Sequence, residues 1–339
     1  MQDSCLRPWG SGMKGHSEQH RILVTYPLPE QALEPLAECG EVIVLERDQS
    51  LRDAVQGHDG ITGIVCLLTD PVDSALLDTL PALAWVSSVS VGVDHVDVAR
   101  LSARGIPLGY TPGVLVDATA DTAFALLLAA ARRVAEGDRF VRDRRWLPDG
   151  SWNPDFFLGK DVSGATLGIL GLGAIGQAVA RRAAAFGMRV LGWTPSGRSV
   201  EGVEPASFEQ VLSDSDFVSV HVALSEATRN LVGSDALALM KHDAVLVNTA
   251  RGGIVDEQAL YDALRSGRLL AAGLDVFATE PLPLDHPLLA LGNVVFTPHI
   301  GSATARTRAN MVRVAVENAV AAMRDARMPH CFNPSVYGG

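Results

Sequence analysis

Cysteine is scarce in this chain of 339 residues, and the four cysteines that it has are widely separated. Cys5, Cys39, Cys66 and Cys331 form no Cys-x-x-Cys pair and have no histidine at the spacing of metal ligands. This distribution disfavours a disulfide-stapled secreted domain and a zinc site, and it is typical of reduced thiols in the cytoplasm. We therefore predict no metal centre and a cytoplasmic location.

Positive charge and long apolar runs are also scarce. The chain has 28 Lys and Arg against 39 Asp and Glu, a formal net charge of −11. Nucleic acids and anionic membrane surfaces need basic patches, so neither is an expected partner. The longest apolar run, residues 123–131, is far shorter than the roughly 20 residues that span a bilayer. Residues 1–19 lack the apolar segment of a secretory signal, and we expect them to be a disordered tail.

Apolar strand-like segments alternate with helical ones along most of the chain. The first series has strands predicted at 21–27, 41–46, 63–68 and 82–92. Asp94 is the expected N-cap of the next helix, and Gly105 its end. Residues 118–146 predict one long helix, a second series runs from Thr166 to about residue 300, and a closing helix follows. Strands separated by helices indicate βαβ units, so the predicted fold class is α/β with two doubly wound parallel-sheet domains.

The stretch "TLGILGLGAIGQAVARRAAAFGMRVLGW" (166–193) contains a strand, a Gly-x-Gly-x-x-Gly turn, a helix that begins inside the turn, and a second strand. The first glycine allows the tight turn, the second lets the backbone approach a pyrophosphate, and the third lets the helix pack close to the strand. The helix N-terminus adds N–H groups and a partial positive charge. This context predicts a Rossmann domain with a dinucleotide site at Gly171, Leu172, Gly173, Ala174, Ile175 and Gly176.

The end of the second strand bears on which dinucleotide is bound. NAD enzymes normally carry an acidic residue there for the ribose 2′-hydroxyl. This chain reads "GWTPSGRS" (192–199) and has no acid before Glu201. A carboxylate would repel a 2′-phosphate by roughly 4 kcal/mol per unit charge at 4 Å in an intermediate dielectric. Its absence, with Thr194, Ser196 and Arg198 as donors, favours NADP(H). The alternative is a merely polar loop in an enzyme that also accepts NAD(H).

Three side chains of different chemistry stand near the ends of three predicted strands of the second series. "AVLVNTARGG" (244–253) leads to Arg251, "AAGLDVFATEP" (271–281) to Glu280, and "NVVFTPHIGS" (293–302) to His299. Ligands of open parallel sheets bind beyond the carboxyl ends of the strands. An arginine fork binds a carboxylate and a keto oxygen, a histidine donates a proton as hydride arrives, and a carboxylate favours and orients the imidazolium. The set predicts reduction of a 2-keto acid, although each residue alone has a capping or surface role as the alternative.

With these motifs, residues 20–330 strongly resemble the D-isomer-specific 2-hydroxyacid dehydrogenases. The motifs are "SVGVDHVD" (90–97), "GLGAIG" (171–176), "VNTARGGIVDEQAL" (247–260), "GLDVFATEPLP" (273–283) and "TPHIGSAT" (297–304). Three longer stretches, at 110–133, 151–159 and 280–308, look most like the branch of the family that reduces glyoxylate and hydroxypyruvate. One departure is Ala174, because many members of the family have arginine inside the glycine loop.

The resemblance implies a flavodoxin-like substrate domain (20–118 plus 302–330) and a nucleotide domain (119–301). It implies that the backbone N–H groups of Val91 and Gly92 bind the substrate carboxylate. By the same comparison Arg251 anchors the substrate, His299 is the acid/base and Glu280 is its partner. Further contacts with cofactor or substrate are implied for Thr249, Asp275, Gly301 and Ser302.

The resemblance also implies a homodimer, because Trp152 matches a tryptophan that reaches into the neighbouring subunit's site. Ordinary packing in a loop or an interface is the alternative for this residue. The leading hypothesis is an NADPH-dependent reductase that converts glyoxylate to glycolate and hydroxypyruvate to D-glycerate. Two alternatives stay open: a D-2-hydroxyacid dehydrogenase for a bulkier keto acid, and a nucleotide-sensing relative that does not turn over keto acids.

Overall fold

The computed structural model describes residues 20–47, 49–147 and 152–338, which belong to two compact units. Unit 1 runs to Val114 and resumes at Ala305, and unit 2 comprises residues 115–304. The tail predicted for residues 1–19 lies outside the described residues. The unit boundaries fall a few residues from the expected 118/119 and 301/302. The first boundary precedes residue 118 because a continuous helix, which starts at Val116, belongs wholly to unit 2.

Unit 1 contains a five-stranded parallel sheet among its described residues, in the order β2-β1-β3-β4-β5. Its strands are β1 (His20–Val24), β2 (Gly40–Val44), β3 (Gly63–Cys66), β4 (Trp85–Ser88) and β5 (Leu108–Gly109). Its helices are α1 (Glu30–Ala37), α2 (Leu51–Gln56), α3 (Ser74–Asp78), α4 (Val98–Ala103) and α11 (Ala305–Met323). This strand order is the flavodoxin-like order.

Unit 2 contains a seven-stranded parallel sheet among its described residues, in the order β12-β11-β10-β9-β6-β7-β8. Its strands are β6 (Thr166–Leu170), β7 (Arg189–Trp193), β8 (Glu204–Pro205), β9 (Phe217–Val220), β10 (Val245–Asn248), β11 (Ala271–Leu274) and β12 (Val294–Phe296). Its helices are α5 (Val116–Ala131), α6 (Val134–Arg142), α7 (Ala174–Ala185), α8 (Phe208–Asp214), α9 (Ser234–Leu239) and α10 (Glu257–Arg265). The order in which strands are added to the sheet reverses between β6 and β9, as in the Rossmann fold. Ligands of such sheets bind at the point of this reversal.

Helix α5 is the main packing element on one face of the unit 2 sheet. It contacts α7, β10 and β11, and its buried Ala123 and Leu127 share a core cluster with Ile169 and Val247. Strands covered on both faces read as continuous apolar runs, which is why β9, β10 and β11 are buried throughout. Among the described residues, no helix is both long enough and apolar enough to cross a bilayer.

Two local predictions were wrong. The single helix expected over 118–146 is divided into α5 and α6, because Arg133 adopts a left-handed φ of 55° and pairs with Glu136 one turn later. Asp97, not Asp94, caps α4 by accepting a hydrogen bond from the Arg100 amide. The helix starts later than expected because Val96 still pairs with Val72 in an isolated parallel bridge.

Candidate active site

The carboxyl ends of five strands are aligned at one edge of the unit 2 sheet. The register places Leu170, Val220, Asn248, Leu274 and Phe296 side by side across β6, β9, β10, β11 and β12. The residues that follow each strand therefore start from a common row. The glycine loop, the Arg251 turn and the segment that carries His299 all leave the sheet at this edge.

The glycine loop has the close approaches that its sequence predicts. Gly171 has a φ of +103°, and a Cβ there would lie 2.6 Å from the carbonyl carbon of His221. A Cβ on Gly176 would lie 2.1 Å from the Gly171 carbonyl oxygen, so the third glycine is what lets α7 start against the end of β6. At Gly173 the same test meets no atom within 4 Å, which leaves open space at the N-terminus of α7.

Two features of this edge suit a dinucleotide. The first N–H groups of α7 have no intrahelical acceptor, and Gly173 caps the helix without a side chain. The hydroxyl of Thr249, just beyond β10, is buried and has no hydrogen-bond partner among the described residues. Buried polar groups are normally satisfied, so a donor or acceptor without a partner in the protein indicates a place for a polar ligand.

Thr194, Ser196 and Arg198 are brought together by one turn after β7. The Thr194 hydroxyl accepts a hydrogen bond of 3.0 Å from the Arg198 amide and lies 3.3 Å from the Ser196 hydroxyl. The Gly197 amide closes the turn on the Thr194 carbonyl at 3.0 Å. Ser196 and Arg198 are exposed and Thr194 is half-buried, so all three can face a ligand in solution.

Arg251 lies in a turn that Asn248 shapes from the end of β10. The side-chain NH₂ group of Asn248 donates to the Arg251 carbonyl at 2.9 Å. Its side-chain oxygen accepts from the main-chain N–H of Ala250 at 3.0 Å. Asn248 is only 1% exposed, so it acts as an internal brace for the turn. The Arg251 side chain donates back to the Ala250 carbonyl at 2.9 Å and remains half-buried.

His299 and Glu280 form a close pair. The Nδ1 of His299 lies 2.6 Å from Oε2 of Glu280, and the two side chains are 23% and 28% exposed. The other oxygen of Glu280 accepts a hydrogen bond of 2.9 Å from the Phe277 amide. His299 has a left-handed φ of 52°, and neither residue caps a helix among the described elements. Because Nδ1 is engaged and no described residue hydrogen-bonds to Nε2, Nε2 is the ring atom left for a substrate.

The Glu280 carboxyl stays ionised at neutral pH. Burial raises its pKa, but the hydrogen bonds from His299 and the Phe277 amide, with the positive charges of His299 and Arg251, lower it more. The net pKa therefore lies below the ordinary value of 4.5. A carboxylate beside Nδ1 accepts its N–H and fixes the orientation of the ring.

Asp275 organises the segment that carries His299. Its Oδ1 accepts from the Thr297 hydroxyl at 2.6 Å and from the Ile300 amide at 2.8 Å, and its Oδ2 accepts from the Gly301 amide at 2.8 Å. Its carbonyl also accepts from the His299 amide at 2.9 Å. The carboxylate and the Gly301 amide, both expected to contact cofactor or substrate, are thus already engaged with each other.

Comparison with known proteins identifies the family of this chain. The family model described as "D-isomer specific 2-hydroxyacid dehydrogenase, NAD binding domain" matches residues 124–301. This chain belongs to that family. It is 45% identical to a glyoxylate reductase of Korarchaeum cryptofilum over 322 residues, which is 93% of this chain and 96% of the relative. It is 43% identical to the glyoxylate reductase/hydroxypyruvate reductase of Mus musculus, over 91% of this chain and 96% of the relative.

A solved structure of the same family has a closely similar backbone. The NADPH-dependent glyoxylate/hydroxypyruvate reductase of Sinorhizobium meliloti, solved with NADP and malonate, superposes with a TM-score of 0.82. It is 34% identical, and the match covers 93% of this chain and 97% of that one. The family assignment makes this protein an oxidoreductase with an NAD-binding domain.

The remaining residues assigned from the family motifs differ in exposure and are divided between the two units. Val91 and Gly92 follow β4 in unit 1, where both are half-buried. Ser302 is 8% exposed and falls in unit 2, although it was expected to begin the substrate domain. Trp152 is 82% exposed.

Two residues that shape the site of this dehydrogenase were missed in the sequence. Asn248 and Thr297 touch no proposed ligand, but they hold the turns that carry Arg251 and His299. An asparagine at the end of an apolar strand, followed two residues later by a turn, is a signal for such a brace. Thr297 gives no comparable signal, because its partner Asp275 is 22 residues away in the sequence.

Proposed function

We propose that this dehydrogenase uses NADPH to reduce small 2-keto acids, glyoxylate to glycolate and hydroxypyruvate to D-glycerate. The observation that carries the proposal is the His299–Glu280 pair at 2.6 Å, at the sheet edge that also carries Arg251 and the glycine loop. The names of the relatives that are 45% and 43% identical support the choice of small substrates.

Substrate binding is assigned to main-chain and guanidinium donors. In the proposal the N–H groups of Val91 and Gly92 bind the carboxylate, and Arg251 binds the carboxylate and the keto oxygen through its planar fork. Ser302 is a further substrate contact. The Arg251 fork would orient the keto acid with its keto oxygen towards Nε2 of His299.

The proton is assigned to His299. NADPH, when bound, would supply a hydride to the carbonyl carbon. As negative charge develops on the keto oxygen, the Nε2–H of His299 donates its proton and the oxygen becomes the new hydroxyl. His299 is left neutral, and Glu280 remains a carboxylate that holds the Nδ1–H. Solvent then returns a proton to Nε2 for the next turnover.

The preference for NADPH over NADH is assigned to the turn after β7. The glycine loop and the N-terminus of α7 would hold the pyrophosphate, and the Thr249 hydroxyl would gain a partner. Thr194, Ser196 and Arg198 would hold the 2′-phosphate. The described residues of this turn contain no carboxylate that would repel the phosphate. The relative from Sinorhizobium meliloti, which is described as NADPH-dependent, supports the same choice.

A homodimer is part of the proposal. Residues 134–147 and 152–158 expose six large apolar side chains, namely Val134, Val141, Trp146, Leu147, Trp152 and Leu158. Exposed apolar residues concentrated in one stretch are typical of protein–protein interfaces. We assign this stretch to the contact between subunits, with Trp152 reaching the partner's site.

Steady-state oxidation of NADPH and, separately, of NADH tests the proposal, with glyoxylate, hydroxypyruvate and pyruvate as acceptors. The expected result is a higher kcat/KM for glyoxylate and hydroxypyruvate than for pyruvate, and for NADPH than for NADH. A higher kcat/KM for pyruvate, or for a bulkier keto acid added as a fourth acceptor, would shift the assignment to another dehydrogenase of the family. Tight NADPH binding without turnover of any keto acid would contradict the enzymatic role and favour a nucleotide sensor.

A further inference from the structure

A chain of buried polar side chains lies behind the loop that follows β4 in unit 1. The Ser90 hydroxyl donates to the Gly92 carbonyl at 2.6 Å. The Ser88 hydroxyl lies 2.7 Å from the Ser90 hydroxyl. The Nε2 atom of His95 lies 3.1 Å from the Ser88 hydroxyl. Ser88 and Ser90 are 0% and 3% exposed, so these bonds are shielded from water.

The number of available protons fixes the direction of the chain. Each serine has one hydroxyl proton. Ser90 uses its proton on the Gly92 carbonyl, so in the contact between the serines Ser88 must be the donor. Ser88 therefore accepts from His95, which must carry a proton on Nε2. The bonds run in one sense, from His95 through both serines to the carbonyl, and hydrogen bonds aligned in this way strengthen one another.

The same loop carries two main-chain N–H groups, those of Val91 and Gly92, that point to no acceptor among the described residues. The Ser90 carbonyl accepts from the Thr111 amide at 2.8 Å. In a trans peptide the N–H points opposite to the C=O, so the N–H of Val91 points away from Thr111. Among the residues that the structure describes, neither the Val91 nor the Gly92 N–H has a hydrogen-bond acceptor, and both residues are partly accessible.

We infer that Ser90, backed by Ser88 and His95, is a positioning residue that holds the Val91 and Gly92 amides for the carboxylate of the keto acid. The Thr111 amide fixes the Ser90 carbonyl, and the Ser90 hydroxyl fixes the Gly92 carbonyl. The N–H groups of Val91 and Gly92 therefore lie between two anchored carbonyl groups. This inference rests on the proposed function, because it takes the carboxylate of that substrate as the ligand.

The matched test compares Ser90→Ala with Ser87→Ala. Ser87 precedes Ser88 in β4, is 0% exposed and donates to the Ala315 carbonyl at 2.8 Å, so its variant also loses one buried hydrogen bond but leaves the loop unchanged. For Ser90→Ala we expect the KM for glyoxylate to rise about tenfold, because the hydrogen bond to the Gly92 carbonyl is lost. The kcat and the Kd for NADPH should stay within about twofold of the wild type. For Ser87→Ala the KM should stay within about twofold of the wild type.

Three more variants keep the test decisive if Ser90→Ala folds poorly, which circular dichroism and Tm would show. Ser88→Ala leaves the Ser90 donation in place but removes its support, so KM should rise less than in Ser90→Ala. His95→Leu should raise KM in the same way as Ser88→Ala, and His95→Gln, which keeps an N–H donor, should restore it. If the wild type is active and the KM for glyoxylate is unchanged in Ser90→Ala, Ser88→Ala and Ser87→Ala, the inference is overturned and the proposed function is not. A wild type inactive on every keto acid would overturn the proposed function and the inference with it.

Discussion

At the scale of single residues, the candidate site depends on the 2.6 Å contact between Nδ1 of His299 and Oε2 of Glu280. The carboxyl ends of parallel strands share one edge, so residues 19 positions apart in the sequence were expected to meet. The separation of 2.6 Å depends on the left-handed backbone of His299 and on the Phe277 amide that fixes Glu280. Neither feature has a sequence signal, since histidine adopts this conformation only occasionally.

Arg251 is the residue whose removal should affect substrate more than chemistry. For Arg251→Ala we expect a rise in the KM for glyoxylate of about 10- to 100-fold, because charge-assisted hydrogen bonds to a carboxylate are lost. NADPH affinity, measured by fluorescence titration, should stay within about twofold. Arg265→Ala is the control, since Arg265 lies at the end of α10 beside Tyr261. Equal KM values for the two variants would remove Arg251 from the site.

At the scale of elements, the strand ends of unit 2 were predicted well and the helix limits of the chain less well. The second strand series and its glycine turn followed from apolar runs and from glycine positions. The division between α5 and α6 did not, because it depends on a left-handed Arg133 inside a stretch of good helix formers. Tertiary pairing, as at Val96, also moved a helix start that the capping pattern alone had placed earlier.

The segment between β12 and α11 should depend on Asp275. In Asp275→Asn, an NH₂ group replaces one acceptor and faces a donor, so we expect a loss of about 1–3 kcal/mol in the free energy of unfolding. Because the Asp275 carboxylate holds the amides of Ile300 and Gly301 next to His299, kcat should fall as well. Thr297→Val removes one of the three bonds to the carboxylate and should show a smaller change in both quantities. Urea unfolding and kcat unchanged in Asp275→Asn would show that the segment is held by other contacts.

At the scale of the whole molecule, His221 makes stability depend on pH. Burial lowers its pKa from 6.5 to about 4, so between these values the unfolded chain binds a proton that the folded protein does not. The stabilisation is complete above pH 6.5 and is lost as the pH falls towards 4, by about 1.4 kcal/mol per pH unit and about 3 kcal/mol in all.

The corresponding experiment measures Tm between pH 7 and 4 for the wild type and two variants. His221→Gln keeps a polar partner for Ser219 and should show a smaller acid-induced fall in Tm than the wild type. His242→Gln replaces an exposed histidine of the same unit and should follow the wild-type curve. Parallel curves for all three proteins would contradict a neutral, enclosed His221.

The two-unit organisation was predicted largely from the change in sequence character near residue 118 and from the family motifs. The flavodoxin-like order of unit 1 was expected only by resemblance, because strand order is not readable from apolar patterns. The two units divide at Leu115 and at Ala305, because α5 begins at Val116 and Ser302 stays with unit 2.

The most direct test of the central claim, that His299 protonates the substrate, compares His299→Ala with His286→Ala. His286 forms the other His–Glu pair among the described residues, with Glu257 at 3.2 Å, and lies outside the proposed site. We expect His299→Ala to lower the kcat for glyoxylate by about 10²- to 10⁴-fold with NADPH affinity nearly intact, and His286→Ala to stay close to the wild type. Equal kcat values for the two variants, or a loss of NADPH affinity in His299→Ala that accounts for its defect, would contradict the claim.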